Sequence, residues 1–160
     1  MDGPLIATVK AFFDSQSIPI AEIDDTSMMI TRYEGRNGVW RCLVSVDEEA
    51  ETFVFYSLLD TLLAADIGRD RQTEVVEFLM RATAGLTVGN FELDYRNNDI
   101  FFRTSVDVEG SELTPALVAN LVATNLMVVD HYLPALEQVA TGSTNAREAI
   151  ESADGADVDS

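Results

Sequence analysis

The chain has 160 residues, 47% of them hydrophobic, and a formal net charge of -18. That length suits one domain able to bury most of the surface its unfolded form exposes, and the apolar fraction argues against global disorder. Ten basic residues against 28 acidic ones repel phosphate backbones and anionic lipid, so neither nucleic acid nor a membrane is expected as a partner.

Cysteine usage points the same way. Cys42 stands alone and cannot form an internal disulfide. Met1-Asp2-Gly3-Pro4 lacks the positive and apolar runs of a signal peptide. No stretch approaches the roughly 18 uncharged apolar residues of a membrane span. The expected location is the cytoplasm.

In chain order, Leu5, Ile6, Val9, Phe12 and Phe13 make the apolar stripe of a first helix, with Pro4 in its first turn and Asp2 as its cap. Residues 28–34 and 39–46 read as two strands around Asn37-Gly38, a strong hairpin signal. In the second strand, Trp40, Cys42, Val44 and Val46 share one face, and Val39, Arg41, Leu43 and Ser45 the other. Asp47-Glu48-Glu49 turns into a third strand at 52–58. The stretch from Asp60 to Asp66 suits either a short helix or an extension of that strand.

Asp70 is the expected N-cap of a helix carrying Val75, Phe78, Leu79, Ala82 and Leu86, with Gly85 and Gly89 bracketing its exit. Phe91, Leu93 and Tyr95 then alternate with Glu92, Asp94 and Arg96. Asn97-Asn98 forms a turn, and Ile100, Phe102, Thr104 and Val106 line one face of the following strand. Cross-strand ion pairs are expected among Glu92, Asp94, Arg96 and Arg103.

Thr114-Pro115 opens a long, very apolar helix. Its apolar residues fill an arc of roughly half the circumference, where a sheet-packed helix needs about 100°. The excess suggests a second burial surface, and Leu117, Leu121, Val128, Val129 and Tyr132 are the candidate residues for a dimer or partner contact. Asn120, Thr124, Asp130, His131 and Gln138 lie opposite. Pro134 is expected to kink or split this helix.

From Gly142 the chain turns small and acidic, with Arg147 against Glu148, Glu151, Asp154, Asp157 and Asp159. Residues 1–141 are therefore expected as a single α+β domain and 142–160 as a disordered acidic tail, holding at most a short helix near 145–151. The sheet is expected to be antiparallel, of about five strands (a three-strand meander plus a hairpin), with helices on one face.

No residue pattern specifies a reaction, and no catalytic, cofactor or metal residues are assigned. His131, the only histidine, reads as a solvated residue whose neighbour Asp130 cannot face it on a helix. Cys42 reads as a buried thiol. Asp24-Asp25 and Glu48-Glu49 lack the spacing of a calcium loop, and no Lys-Ser or Lys-Thr follows the glycines to make a phosphate loop.

Several blocks together resemble the YbjN-like family: Phe78-Leu79-Met80-Arg81-Ala82, Gly85-Leu86, Gly89-Asn90-Phe91-Glu92-Leu93-Asp94, Arg103-Thr104-Ser105-Val106-Asp107-Val108-Glu109-Gly110 and Leu113-Thr114-Pro115. The likeness spans residues 5–140 and is strongest from 78 to 115. The chain departs from the pattern at Thr83-Ala84, where Asn-Tyr is common. The resemblance implies a fold similar to type III secretion chaperones, which are dimers holding extended partner segments. It also implies the label of a bacterial sensory transduction regulator, and it carries no catalytic residues.

The functional expectation is a non-enzymatic binding or chaperone-like regulatory module, acting as a homodimer that holds a protein or peptide partner. The alternatives are a carboxylate-based hydrolase, which needs acidic groups of raised pKa converging in a pocket, and a small-ligand sensor.

Overall fold

Pro4 begins the first helix, α1 (Pro4–Ser15), where its fixed φ suits the opening turn and its missing N–H costs nothing. Leu5, Val9 and Phe13 recur every four residues and are buried. The computed structural model describes residues 2–60, 62–63 and 67–155. Asp2 does not cap α1. It pairs with Lys10 at 2.8 Å, while the Glu48 carboxylate accepts the Leu5 and Ile6 N–H groups at 3.3 and 2.8 Å. An acidic group from a distant turn thus satisfies the helix start that the local sequence leaves open.

The strands follow as β1 (Ala21–Glu22), β2 (Met28–Glu34), β3 (Val39–Asp47) and β4 (Thr52–Leu59), then helix α2 (Arg69–Ala84), then β5 (Asn90–Asp94) and β6 (Asp99–Asp107). They form one antiparallel sheet in the order β1-β2-β3-β4-β6-β5. The sheet therefore has six strands where about five are read from sequence. The extra one, β1, is two residues long and too short for alternation to reveal. Of the ambiguous stretch Asp60 to Asp66, residues 61 and 64–66 lie outside the described residues. Helix α2 begins one residue before Asp70, behind Gly68, so Asp70 sits in the first turn and does not cap it.

Inward side chains on β3 (Trp40, Cys42, Val44, Val46), β4 (Phe53, Phe55, Leu59) and β6 (Ile100, Phe102, Thr104) are buried. Helices α1, α2 and α3 (Pro115–Thr141) pack over that side, and α4 (Ala146–Gly155) sits against α2 and α3. The Thr114 hydroxyl caps α3 by accepting the Leu117 N–H at 3.1 Å.

Within the apolar layer, Asn125 of α3 is fully buried. Its Nδ2 donates to the main-chain oxygens of Phe55 and Phe102, each at 3.0 Å. Its Oδ1 accepts from the Ser57 hydroxyl at 2.6 Å, and Ser57 Oγ accepts from Trp40 Nε1 at 2.8 Å. A buried polar side chain is tolerated where every group finds a partner. Here it also sets the rotation of α3 on β4 and β6.

Pro134 neither splits α3 nor ends it. Having no N–H, it leaves the Asp130 carbonyl, four residues earlier, without its helical donor. Asn37 in the β2–β3 turn supplies one: its Nδ2 donates to that oxygen at 2.8 Å, and its main-chain N–H donates to Asp130 Oδ1, also at 2.8 Å. The turn lies so close that a β-carbon at Gly38 would stand 2.6 Å from Leu133.

The segment expected as a disordered tail contains α4. Gly142 ends α3 in the left-handed conformation at φ 87°, with the Arg71 guanidinium where a side chain would be. Asn145 caps α4 by accepting the Glu148 N–H at 2.9 Å, and the Ala146 N–H donates to Glu74 at 2.8 Å. Ala146 and Ala149 are buried against the core. The helix extends past the short one expected near 145–151 and packs on the core. Acidic composition hides that packing because the packed face is made chiefly of alanine, which hydropathy barely registers.

Candidate functional site

The five residues expected to offer α3 to a partner are mostly covered within the chain. Leu121, Val129 and Tyr132 are buried, at 7%, 1% and 9% exposure, and Leu117 and Val128 are half-buried. The wide apolar arc has a physical explanation: sheet, α1, α2 and α4 surround α3 on more than one side. The Tyr132 ring meets Phe78 and Phe91 edge-on, and its hydroxyl donates to Asp154 at 3.1 Å. In its first four turns α3 shows Pro115, Ala116, Asn120, Ala123 and Met127 to solvent, the last 71% exposed, and near its end Glu137, Gln138 and Thr141. Residues 115–129 carry no charge at all, in a chain of net charge -18. By length and composition α3 is long enough and apolar enough to cross a membrane, the one such helix among the described residues, yet its buried side packs on the protein's own sheet.

His131 is half-buried and stands edge-on to Tyr132 at 4.7 Å, in a groove shared with Asn37, Pro134 and Ala149. The Cys42 thiol is buried beside Ser57 and Trp40, and desolvation pushes its pKa up to about 12. A thiol held protonated is a poor nucleophile. The Arg96 side chain, then its main-chain N–H, holds the Asp94 carboxyl below its ordinary value. Arg103 pairs with Glu92 at 2.7 Å across β5 and β6. Among the described residues no three His, Cys, Asp or Glu side chains gather as a metal site would require.

The outward face of the sheet is the site that sequence reading passed over. Antiparallel sheets covered on one side usually show polar residues to water on the other. Here the register lines up Ile30, Leu43, Tyr56 and Arg103 in one row, and Arg32, Arg41, Leu58 and Phe101 in the next. Val54 adjoins them. All six apolar side chains are half-buried, and the rings of Tyr56 and Phe101 meet edge-on at 6.3 Å. Arg41 is paired with Asp60, and Arg32 makes no ion pair among the described residues. Contiguous apolar surface of this kind marks interaction sites in soluble proteins. The signal was present in the sequence, since β4 is apolar on both faces, but periodicity alone cannot say which face stays open.

The family model YbjN, described as "Putative bacterial sensory transduction regulator", matches residues 6–138. The chain belongs to the YbjN family. Among solved structures, a chain in "Structure of the HopA1-SchA Chaperone-Effector Complex" superposes on this YbjN protein with a TM-score of 0.50, at 16% identity, over 76% of this chain and 86% of that chain. The likeness is one of fold: an antiparallel sheet with helices on one side, the α+β class read from the sequence. No curated protein matches this YbjN chain.

Proposed function

We propose that this YbjN protein is a non-enzymatic, chaperone-like module that holds a protein partner on the helix-free face of its sheet. One observation carries the reading: that face presents six half-buried apolar side chains, with arginines among them, where a solvated sheet face needs none. The neighbouring fold comes from a chaperone-effector complex, which supports a protein-holding role here. A photo-crosslinking residue at Leu43 or Tyr56 tests it. Capture of a distinct protein, lost when Phe101 is changed to Ser, supports the reading; labelling of nothing beyond the chain itself overturns it.

The same reading includes a homodimer. A second copy would meet the uncharged outer stripe of α3, at Ala116, Ala123 and Met127 beside Leu117 and Val128, where a net charge of -18 on each copy opposes contact least. Light scattering of the wild type is expected to give twice the chain mass, and that of Met127→Asp the single mass. A wild-type monomer in both low and high salt removes the dimer.

A further inference from the structure

The outer edge of β2 is unfinished, and the reason lies in one proline. Ala21 of β1 pairs with Ile30, so continuing the same register would set Pro19 opposite Arg32. Pro19 has no N–H to give, and its carbonyl is taken by the Thr31 hydroxyl at 2.6 Å. The chain therefore joins the sheet only at Ala21, and β1 is two residues long. In β2, alternate residues turn their backbone groups outward. The Met28 carbonyl accepts from Ile23 on the β1 side, and the Ser27 carbonyl accepts from Val46 on the β3 side. By the same alternation the N–H and C=O of Arg32 and Glu34 face outward, where no strand among the described residues meets them.

Beside this edge, on the helix side, lies a cleft of about 180 Å³ whose walls include Phe13, Ile18, Cys42, Phe55, Val122 and Leu126. An apolar cavity of about 150 Å³ accepts a benzene ring, so there is room for one large apolar side chain. On the opposite side, Arg32 and Arg41 stand directly across from each other, both exposed. Like charges in that position are unfavourable, and only Arg41 has an acidic partner.

These three features fit one occupant. We propose that β2 accepts an added strand from a partner polypeptide with the alternation apolar, acidic, apolar. Its acidic residue lies opposite Arg32, bonded to that residue's free backbone groups, with its carboxylate on the arginine side. One of the flanking apolar side chains enters the cleft. A second copy of this chain fits less well: antiparallel pairing of two β2 edges about Tyr33 matches Arg32 with Glu34, but it offers the cleft only a tyrosine and Gly35. The inference rests on the protein-holding reading above and names the segment that is held.

A short fluorescein-labelled peptide with a leucine-glutamate-leucine centre is the probe, followed by anisotropy and by amide hydrogen exchange. Binding is expected to slow exchange at Arg32 and Glu34, and a peptide with lysine in place of glutamate is expected to bind at least about tenfold more weakly. Glu34→Pro removes an edge N–H that has no hydrogen-bond partner among the described residues. It should leave the thermal midpoint nearly unchanged while weakening peptide binding by about tenfold or more, and Arg32→Gln should weaken it several-fold. Peptide binding indifferent to both substitutions overturns the strand addition while leaving the protein-holding reading intact. Absence of peptide binding overturns it likewise, and so does self-association that Glu34→Pro abolishes.

Discussion

Asn125 shows how a single side chain can fix a layer of structure. Its amide bridges two strand carbonyls and a serine hydroxyl at the centre of an apolar interface. Replacing it with leucine, of similar shape, leaves the Ser57 hydroxyl proton without an acceptor, which costs about 2 kcal/mol. The urea midpoint of Asn125→Leu is expected to fall accordingly, with an unchanged slope. Cys42 permits a second prediction. Burial raises its pKa from 9.0 to about 12, so above pH 9 the unfolded chain releases a proton that the folded chain retains. The thiol's contribution is then complete below pH 9 and declines as pH rises toward 12. A Cys42→Ser variant should lose less stability than the wild type across that window, and a thiol reagent at neutral pH should react only as fast as the chain opens. Rapid labelling of the folded protein would contradict both points.

At the scale of elements, Pro134 and the first hairpin act as a pair. The proline frees the Asp130 carbonyl and Asn37 occupies it, so a defect in one element becomes a docking point for another. Asn37→Ala should destabilise the wild type by about 1 kcal/mol but have a smaller effect beside Pro134→Ala, which restores the helical donor. A double-mutant cycle measures the difference, and strict additivity would show that the contact contributes nothing. This pairing also marks where sequence reading stops. Strands β2 to β6 and helices α1 to α3 were legible because alternation and three-to-four spacing are local properties. Glu48 capping α1 and Asn37 mending α3 join residues about 40 and 90 positions apart, and no local period encodes that. Helix α4 was legible only as a short helix near 145–151, and its packing was not, because alanine packs well while looking indifferent.

For the whole molecule, charge is the governing variable. A net charge of -18 on 160 residues opposes both folding and self-association, and salt screens it. Raising sodium chloride from about 0.05 M to about 0.5 M should raise the melting temperature and shift light scattering toward the larger species. A melting temperature insensitive to salt would mean that local pairs such as Arg103–Glu92 already neutralise the repulsion. The candidate surface was only half legible for a related reason. The apolar residues of the open sheet face were identified as strand residues, but which side the helices would choose depended on contacts among distant segments. The apolar excess of α3 suggests a partner when only the sequence is considered, whereas in the fold the sheet, α1, α2 and α4 cover most of it.

Strand β2 is secured at both extremities, by β1 at Met29 and Ile30 and by the turn seated on Asp130. Its free middle is consequently a pre-straightened rail. A guest chain laying itself alongside meets backbone groups already aligned, and the ordering penalty of docking falls almost wholly on the guest. Affinity should therefore respond to stiffening the guest far more than to stiffening the host.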